Sequence, residues 1–395
     1  MKILVVDYGF CNFHNLISLV EDGHEVIVIS SMGWEKLPHR YYESLGIKFV
    51  PELPASRDKY FNPYCLEQKF DMIINTSPQM RHLYNRFGGE DSNVKYVGLT
   101  SHGSHLEFGK LYIRSQIEGI GVLCPDIVTE PIVPYVLKPC NVISGEFDFC
   151  MIFLDQEYSD SFHRDIDPEL RFFLEEYVPD CIETNTAYCM AKGKWSIMHN
   201  QEILGEDVAK LAGQFTHWTK TSSFKMLSDE HVKLTEENAA KILDMLALQC
   251  AESSYVGQIT GLISPEGDWL FCENNVRPEQ TNSLPYFVSG NQFLEAMDGN
   301  PDILGDAFPK NVHKMIVNPK EPDSIYPFEL HRKHGVAIPC GLDILEGEYR
   351  VSLTMRKRSG DGRIGLVICD RVIPDGFVRD MENNPNWIVT SLLRP

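Results

Sequence analysis

The stretch Leu270–Asn282, LFCENNVRPEQTN, places a carboxylate, an amide and a guanidinium at alternate positions directly after an apolar run. Side chains of a strand alternate between faces, and successive residues advance about 3.3 Å. The spacing predicts that Glu273, Asn275 and Arg277 project from one face and Cys272, Asn274 and Val276 from the other. The apolar lead-in WLFC marks a buried strand; the competing interpretation is the polar face of a solvated edge strand.

Upstream of this stretch the chain alternates strand and helix signals. YVGQITGLISPEGDWLFCENNV predicts two strands joined at SPEGD, and TEENAAKILDMLALQCAESS predicts a helix with Thr235 and Asn238 near its start and Ile242, Leu243, Leu246 and Leu248 as its apolar positions. TAYCMAKGKWSIM predicts a hairpin turning at Gly193. RFFLEEYVPD predicts a strand running into two glutamates, YVLKPC a strand carrying Lys138, and GKLYIRSQIEGIGVLCPDIV a helix that stops at Gly119 or Gly121.

The first hundred residues show another texture. KILVVDY, EVIVISS, KFV, FDMIINTS and KYVGLT are short apolar strands, and NFHNLISLVEDGH has helical spacing closed by Gly23. This is the pattern of an open, mostly parallel sheet. A dinucleotide-type phosphate loop needs several glycines after the first strand, and DYGFCNFHN offers only Gly9.

A chain of 395 residues with 43% apolar residues predicts two or three domains, each with a core. Against 56 acidic residues stand 36 basic ones, a net charge of −20, which argues against general nucleic-acid binding. The start lacks the pattern of a secretory leader, and no apolar run reaches the roughly 20 residues of a membrane span. Eleven scattered cysteines without a C-x-x-C pair predict neither a zinc site nor a disulfide framework, so a cytoplasmic location is expected. His102, His105, His199 and His217 are expected to be hydrogen-bonding residues rather than metal ligands.

From about Gly109 to Asn282 the order of these elements resembles the ATP-grasp ligases, and among them most closely phosphoribosylamine-glycine ligase. The resemblance rests on Lys110 in GKLYIRSQIEGIGV, Lys138 in VLKPC, LEEYV at Leu174–Val178, YVGQITGL at Tyr255–Leu262 and ENNVRPEQTN, five matches in order over roughly 170 residues. It implies an ATP-grasp fold of mixed α/β and α+β class. Residues 1–103 would be an N-terminal parallel-sheet domain, 104–320 the ATP-grasp domain with a lid at about 132–183, and 321–395 a small β-rich domain. It further implies that Lys110 and Lys138 hold ATP phosphates and that Glu175, Glu176, Tyr177 and Val178 run beside the adenine. Glu183, one residue beyond the family spacing, would hold the ribose.

Chemistry gives the same residue types a purpose. Phosphoryl transfer depends on cations and metal ions placed where charge moves. Mg²⁺ prefers oxygen ligands, usually one or two from protein, so Glu273 and Asn275 are candidate ligands for Mg²⁺ or Mn²⁺. The planar guanidinium of Arg277 matches a γ-phosphate or an acyl-phosphate. The expected reaction is ATP-dependent amide formation from a small-molecule carboxylate and amine, releasing ADP and phosphate, by a monomer or homodimer with no nucleic-acid or membrane partner.

Some segments depart from the family. CNVISGEFDF carries one glycine where a glycine-rich loop is expected, and RPEQTN lacks the GDPE of the purine enzyme and is closer to the RPHNSG of related purine carboxylate ligases. DYGF, NTSPQ and TSHGSH, at strand ends, are candidate linings for the amine partner. The alternatives are a divergent, non-catalytic nucleotide-binding protein and, less consistent with the missing fingerprint, an oxidoreductase built on the first sheet. The tail GEYRVSLTMRKRSGDGRIGLVICDRVIP predicts two strands around SGDG, with Arg356, Lys357 and Arg358 solvated.

Overall fold

The computed structural model describes residues 1–7, 13–30, 46–50, 69–75, 93–99, 105–140, 150–166, 171–204, 223–225, 227–277, 288–307, 313–319, 350–355, 364–370, 375–383 and 387–393. The strands β1 (Lys2–Asp7), β2 (Glu25–Ser30), β3 (Lys48–Val50), β4 (Met72–Asn75) and β5 (Lys95–Gly98) pair in parallel in the order β5-β4-β1-β2-β3. Ile3, Leu4, Val5 and Val6 are all fully buried, as expected for a parallel strand covered on both faces. Helix α1 (Phe13–Glu21) ends at Gly23, whose φ of +82° favours glycine.

Helices α2 (His105–Phe108) and α3 (Lys110–Gly119) follow, and α3 closes at Gly121 with φ +78°. A separate antiparallel sheet contains β6 (Ile127–Val128), β7 (Tyr135–Pro139), β8 (Met151–Phe153) and β9 (Phe172–Glu176) in the order β6-β9-β7-β8. Helix α4 (Gln156–Asp165) begins where the Asp155 carboxylate accepts the Tyr158 N–H at 2.7 Å. Tyr135, Leu137, Met151, Phe153 and Leu174 make the core of this small unit, with Phe162 of α4 packed against them.

β10 (Ile182–Ala191) and β11 (Lys194–Leu204) form the expected hairpin, turning through Lys192 and Gly193 at φ +49° and +76°. β12 (Ser223–Lys225), β13 (Ser254–Ile263) and β14 (Trp269–Asn275) complete an antiparallel set that extends the first sheet to ten strands. The two halves join where Ser254 pairs with Gly98. Helix α5 (Asp229–Gln249) starts earlier than the sequence pattern suggested, because Ser228 caps it by accepting the His231 N–H and Asp229 and Glu230 occupy the first turn. Ile242, Leu243 and Leu246 are buried, whereas Leu248, another apolar residue of the helix, is exposed.

Gly257 and Gly261 on β13 explain part of the motif YVGQITGL. A Cβ at Gly261 would lie 2.1 Å from Trp269 Cζ2, and one at Gly257 would lie 2.4 Å from Tyr188 Cζ. Two large rings therefore cross the strand where it has no side chains, and both belong to the main core under α3 and α5. Helices α6 (Gly290–Met297) and α7 (Asp302–Ala307) lead to β15 (His313–Pro319), β16 (Arg350–Met355), β17 (Ile364–Asp370), α8 (Asp375–Glu382) and β18 (Trp387–Leu393). The predicted β16–β17 pair is present and antiparallel, and β15 and β18 enlarge it into a sheet ordered β16-β17-β15-β18. No described helix is long and apolar enough to cross a membrane.

Candidate active site

A bulge in β14 creates the site. Thr260 pairs with Glu273 and Gly261 with Phe271, so Cys272 is an extra residue with no partner on β13. The shift lets Trp269 and Phe271 enter the core while Glu273 and Asn275 emerge on the opposite face. Asn274 goes to the core side, accepting from Tyr188 Oη at 2.9 Å and donating to the Leu106 carbonyl at 3.4 Å. Simple alternation placed Cys272 in line with Asn274; the bulge removes it from that series.

Glu273 and Asn275 meet directly, the amide Nδ2 donating to Glu273 Oε1 at 3.1 Å. Lys110, the first residue of α3, donates to Glu273 Oε2 at 3.2 Å and to Cys150 Sγ at 3.5 Å. Burial alone would raise the Glu273 pKa; Lys110, Lys138 and the Asn275 hydrogen bond outweigh it and hold the carboxyl down at about 2. The group is an anion throughout the physiological range.

Lys138, near the end of β7, joins the small sheet to the large one. Its ammonium lies 2.5 Å from Glu175 Oε2 and donates to the carbonyl of the bulged Cys272 at 2.9 Å. Glu175 Oε1 is 2.6 Å from Arg114 Nη1, and Arg114 Nη2 reaches Glu118 at 2.7 Å. Burial works against both lysine charges and is outweighed, for Lys110 by Cys150 and Glu273 and for Lys138 by Cys272, Glu175 and Cys150. Both ammonium groups are held above the ordinary lysine value.

Arg277 is restrained by a residue that the sequence pattern did not single out. Its Nε donates to Glu107 Oε1 at 2.9 Å, its Nη2 lies 3.5 Å from Asn275 Oδ1, and Glu107 Oε2 accepts the Val276 N–H at 3.1 Å. Glu107 sits one helical turn before Lys110, in SHLEFGK. Arg114, likewise unnoticed, lies one turn after it in the same segment; an acid and two bases spaced at three and four residues beside an apolar helix are a sequence signal for such a network.

The hinge residues divide. Glu175 turns its carboxylate into the Arg114–Lys138 network, while Glu176 is exposed and its N–H already donates to the Asp126 carbonyl at 2.8 Å, so that donor is taken. Tyr177 and Val178 are half-buried at the strand's exit. Glu183 stands on β10, half-buried; burial and the nearby Glu273 charge raise its pKa to about 8. Of the histidines, His105 packs edge-on against Tyr112 at 4.8 Å, and among the described residues no group of three or more His, Cys, Asp or Glu side chains could hold a metal ion. CNVISGEFDF beyond Cys140, RPEQTN beyond Arg277, NTSPQ beyond Asn75 and TSHGSH up to Ser104 lie outside the described residues, as do Tyr8–Phe10 of DYGF, His102, His217 and the Arg356–Arg358 cluster.

The donor set suits a metal ion that takes most of its ligands elsewhere. Glu273 is a permanent anion, and Asn275 beside it carries an amide oxygen; together they match the one or two protein ligands with which Mg²⁺ bridges substrate phosphates.

No family model matches the chain, and no curated protein matches it. Solved structures do. The L-amino acid ligase of Bacillus licheniformis superposes with a TM-score of 0.67 at 10% identity, covering 98% of both chains. The biotin carboxylase domain of the Hydrogenobacter thermophilus 2-oxoglutarate carboxylase, solved with MgADP, ADP and bicarbonate, gives 0.59 at 11% identity over 93% of this chain and 85% of that one. The N5-carboxyaminoimidazole ribonucleotide synthetase of Thermus thermophilus gives 0.60 at 12% identity over 96% of each. These similarities show that the chain has the ATP-grasp fold, a mixed α/β architecture with parallel strands, and that its neighbours are ATP-grasp carboxylate-amine ligases. They extend across several such ligases and do not single out phosphoribosylamine-glycine ligase.

Proposed function

We propose that this chain is an ATP-dependent carboxylate-amine ligase working through an acyl-phosphate. The observation that carries this reading is the bulge at Cys272: one irregular residue turns Glu273 toward Lys110, with Asn275 hydrogen-bonded beside it, and offers its own carbonyl to Lys138. Candidate metal ligands and candidate phosphate cations thus belong to one connected network.

In this reading Lys110 and Lys138 exchange part of their pairing with Glu273 and Glu175 for the phosphates of ATP. Glu273 and Asn275 would hold Mg²⁺, which supplies neutralisation of the phosphoryl oxygens. Arg277, fixed by Glu107, would lie against the transferred group. Tyr177 and Val178 would flank the adenine and Glu183 the ribose. A substrate carboxylate oxygen attacks the γ-phosphorus, the bond to the β–γ bridging oxygen breaks and ADP departs. The amine nitrogen then attacks the acyl carbon, the carbon–oxygen bond to phosphate breaks, and the nitrogen passes its proton to the departing phosphate as the amide forms. Residues 1–103, 104–320 and 321–395 would be the amine-side, ATP-grasp and C-terminal domains.

Support comes from the fold shared with an L-amino acid ligase and with a domain solved with MgADP. The test is nucleotide analysis after incubation with MgATP, pooled carboxylates and pooled amines. ADP and phosphate in equal amounts are expected, and AMP with pyrophosphate would exclude the acyl-phosphate route.

A further inference from the structure

A row of side chains runs from Glu273 across the sheet, away from the charged network. The register places Glu273 beside Thr260, Thr260 beside Asn185 and Asn185 beside Gln201, on β14, β13, β10 and β11 in turn. Directly paired residues of antiparallel strands point to the same face, so these four share the face of Glu273; Gln258, paired with Asn275, stands in the next row. With strands about 4.8 Å apart the row is about 14 Å long.

Asn185 and Thr260 are wholly buried, and Gln258 and Gln201 are 1% and 3% exposed. Among the described residues Asn185 Nδ2 and Oδ1, Gln201 Nε2, Gln258 Oε1 and Thr260 Oγ1 have no hydrogen-bond partner. Buried polar atoms are almost always paired, because an unpaired one forfeits its hydration without compensation. A cluster of five beside the reaction centre points to a ligand that supplies the missing partners.

The chemistry of the row restricts that ligand. Amide nitrogens donate, amide oxygens accept and the threonine hydroxyl does both, so the complement carries donors and acceptors together. None of the four residues Thr260, Asn185, Gln201 and Gln258 is a cation. A phosphate group, which only accepts, would leave Asn185 Oδ1 and Gln258 Oε1 without a donor, whereas an ammonium or a peptide N–H supplies one.

We propose that Asn185, Gln201, Gln258 and Thr260 form a substrate pocket of the ligase site and select an unphosphorylated amino acid or short peptide over a sugar phosphate. The proposal rests on the ligase reading and refines it.

Two panels test it with MgATP: the common amino acids and their dipeptides, and sugar phosphates with glycine, each read by ADP release. Binding is read separately as the shift in thermal midpoint produced by the same panels with a non-hydrolysable ATP analogue. Asn185→Leu and Thr260→Val, near-isosteric and apolar, remove unpaired atoms without opening a cavity. The expected result is ADP release with the amino-acid panel, reduced at least tenfold in either variant, with a midpoint equal to or above that of the unaltered protein. A midpoint shift by amino acids that both variants lose, without ADP release, upholds the pocket and overturns the ligase reading. ADP release confined to sugar phosphates upholds the ligase reading and overturns the pocket. Variants that respond as the unaltered protein does, or that lose stability as members of a structural water network would, also overturn it.

Discussion

The Lys138 ammonium lies 2.5 Å from Glu175 Oε2, and both side chains are only 5% exposed. This contact ties β7 to the end of β9, and Glu175 carries a second buried cation, Arg114, on its other oxygen. Removing the shared anion leaves Lys138 buried without a carboxylate partner and Arg114 with only the half-exposed Glu118. Glu175→Gln is therefore expected to cost about 3 kcal/mol of unfolding free energy in urea, whereas Glu118→Gln, at the 46% exposed end of the same network, should cost less than about 1 kcal/mol. Equal losses would show that the network is not insulated from water.

The glycines of β13 give a prediction free of any functional assumption. Trp269 fills the space over Gly261, and its indole Nε1–H donates to Thr184 Oγ1 at 3.1 Å, so the ring cannot retreat without breaking a buried hydrogen bond. Gly261→Ala should lower stability by about 1–3 kcal/mol through overpacking and alter tryptophan fluorescence. Gly119→Ala, where the added methyl meets nothing within 4 Å, should leave both almost unchanged.

Much of this architecture was legible because it rests on local periodicity. The buried run at Lys2–Asp7, the turn glycines at 23, 121 and 193 and the alternation along Trp269–Asn275 each announce one element. The bulge at Cys272 was not legible, since it is defined by register against β13, a strand that sequence alternation along β14 does not describe. Glu107 and Arg114 were missed for a similar reason: their role comes from partners 170 and 61 positions away. The unpaired row was invisible too, because Asn185, Gln201 and Thr260 become neighbours only when three strands align.

His163 predicts the pH response of the small unit. Its Nε2 is 2.8 Å from Tyr135 Oη among Phe153, Phe162 and Phe172, and burial, opposed by the nearby Asp160, lowers its pKa below the ordinary 6.5. Between the folded value and 6.5 the unfolded chain binds more protons than the folded one. The contribution to stability is therefore fully present above 6.5 and is lost as pH falls through the window beneath it. Urea unfolding compared at about pH 5 and pH 7 should show a smaller pH dependence in His163→Gln than in the unaltered protein. An unchanged difference would mean that His163 titrates as in the unfolded chain.

The most demanding prediction concerns Glu273, which has two duties that different substitutions separate. As the anion beside Lys110 it offsets a buried ammonium; as a proposed ligand of Mg²⁺ it acts only when nucleotide is present. Glu273→Ala removes the volume along with the charge, so some loss of stability is expected as Lys110 is left with Cys150 alone. Glu273→Gln keeps the shape and a hydrogen-bonding end, and should hold its thermal midpoint within a few degrees while losing the charge that draws the metal ion. Turnover in Glu273→Gln should fall by at least about a hundredfold, the scale on which loss of one electrostatic group at a reacting centre is felt. Titration calorimetry separates ground-state binding from catalysis: the unaltered protein should bind MgATP more tightly than ATP in the presence of a chelator, and the variant should bind both alike. A folded Glu273→Gln protein with unaltered turnover would remove the metal assignment and, with it, the main support for phosphoryl transfer at this site.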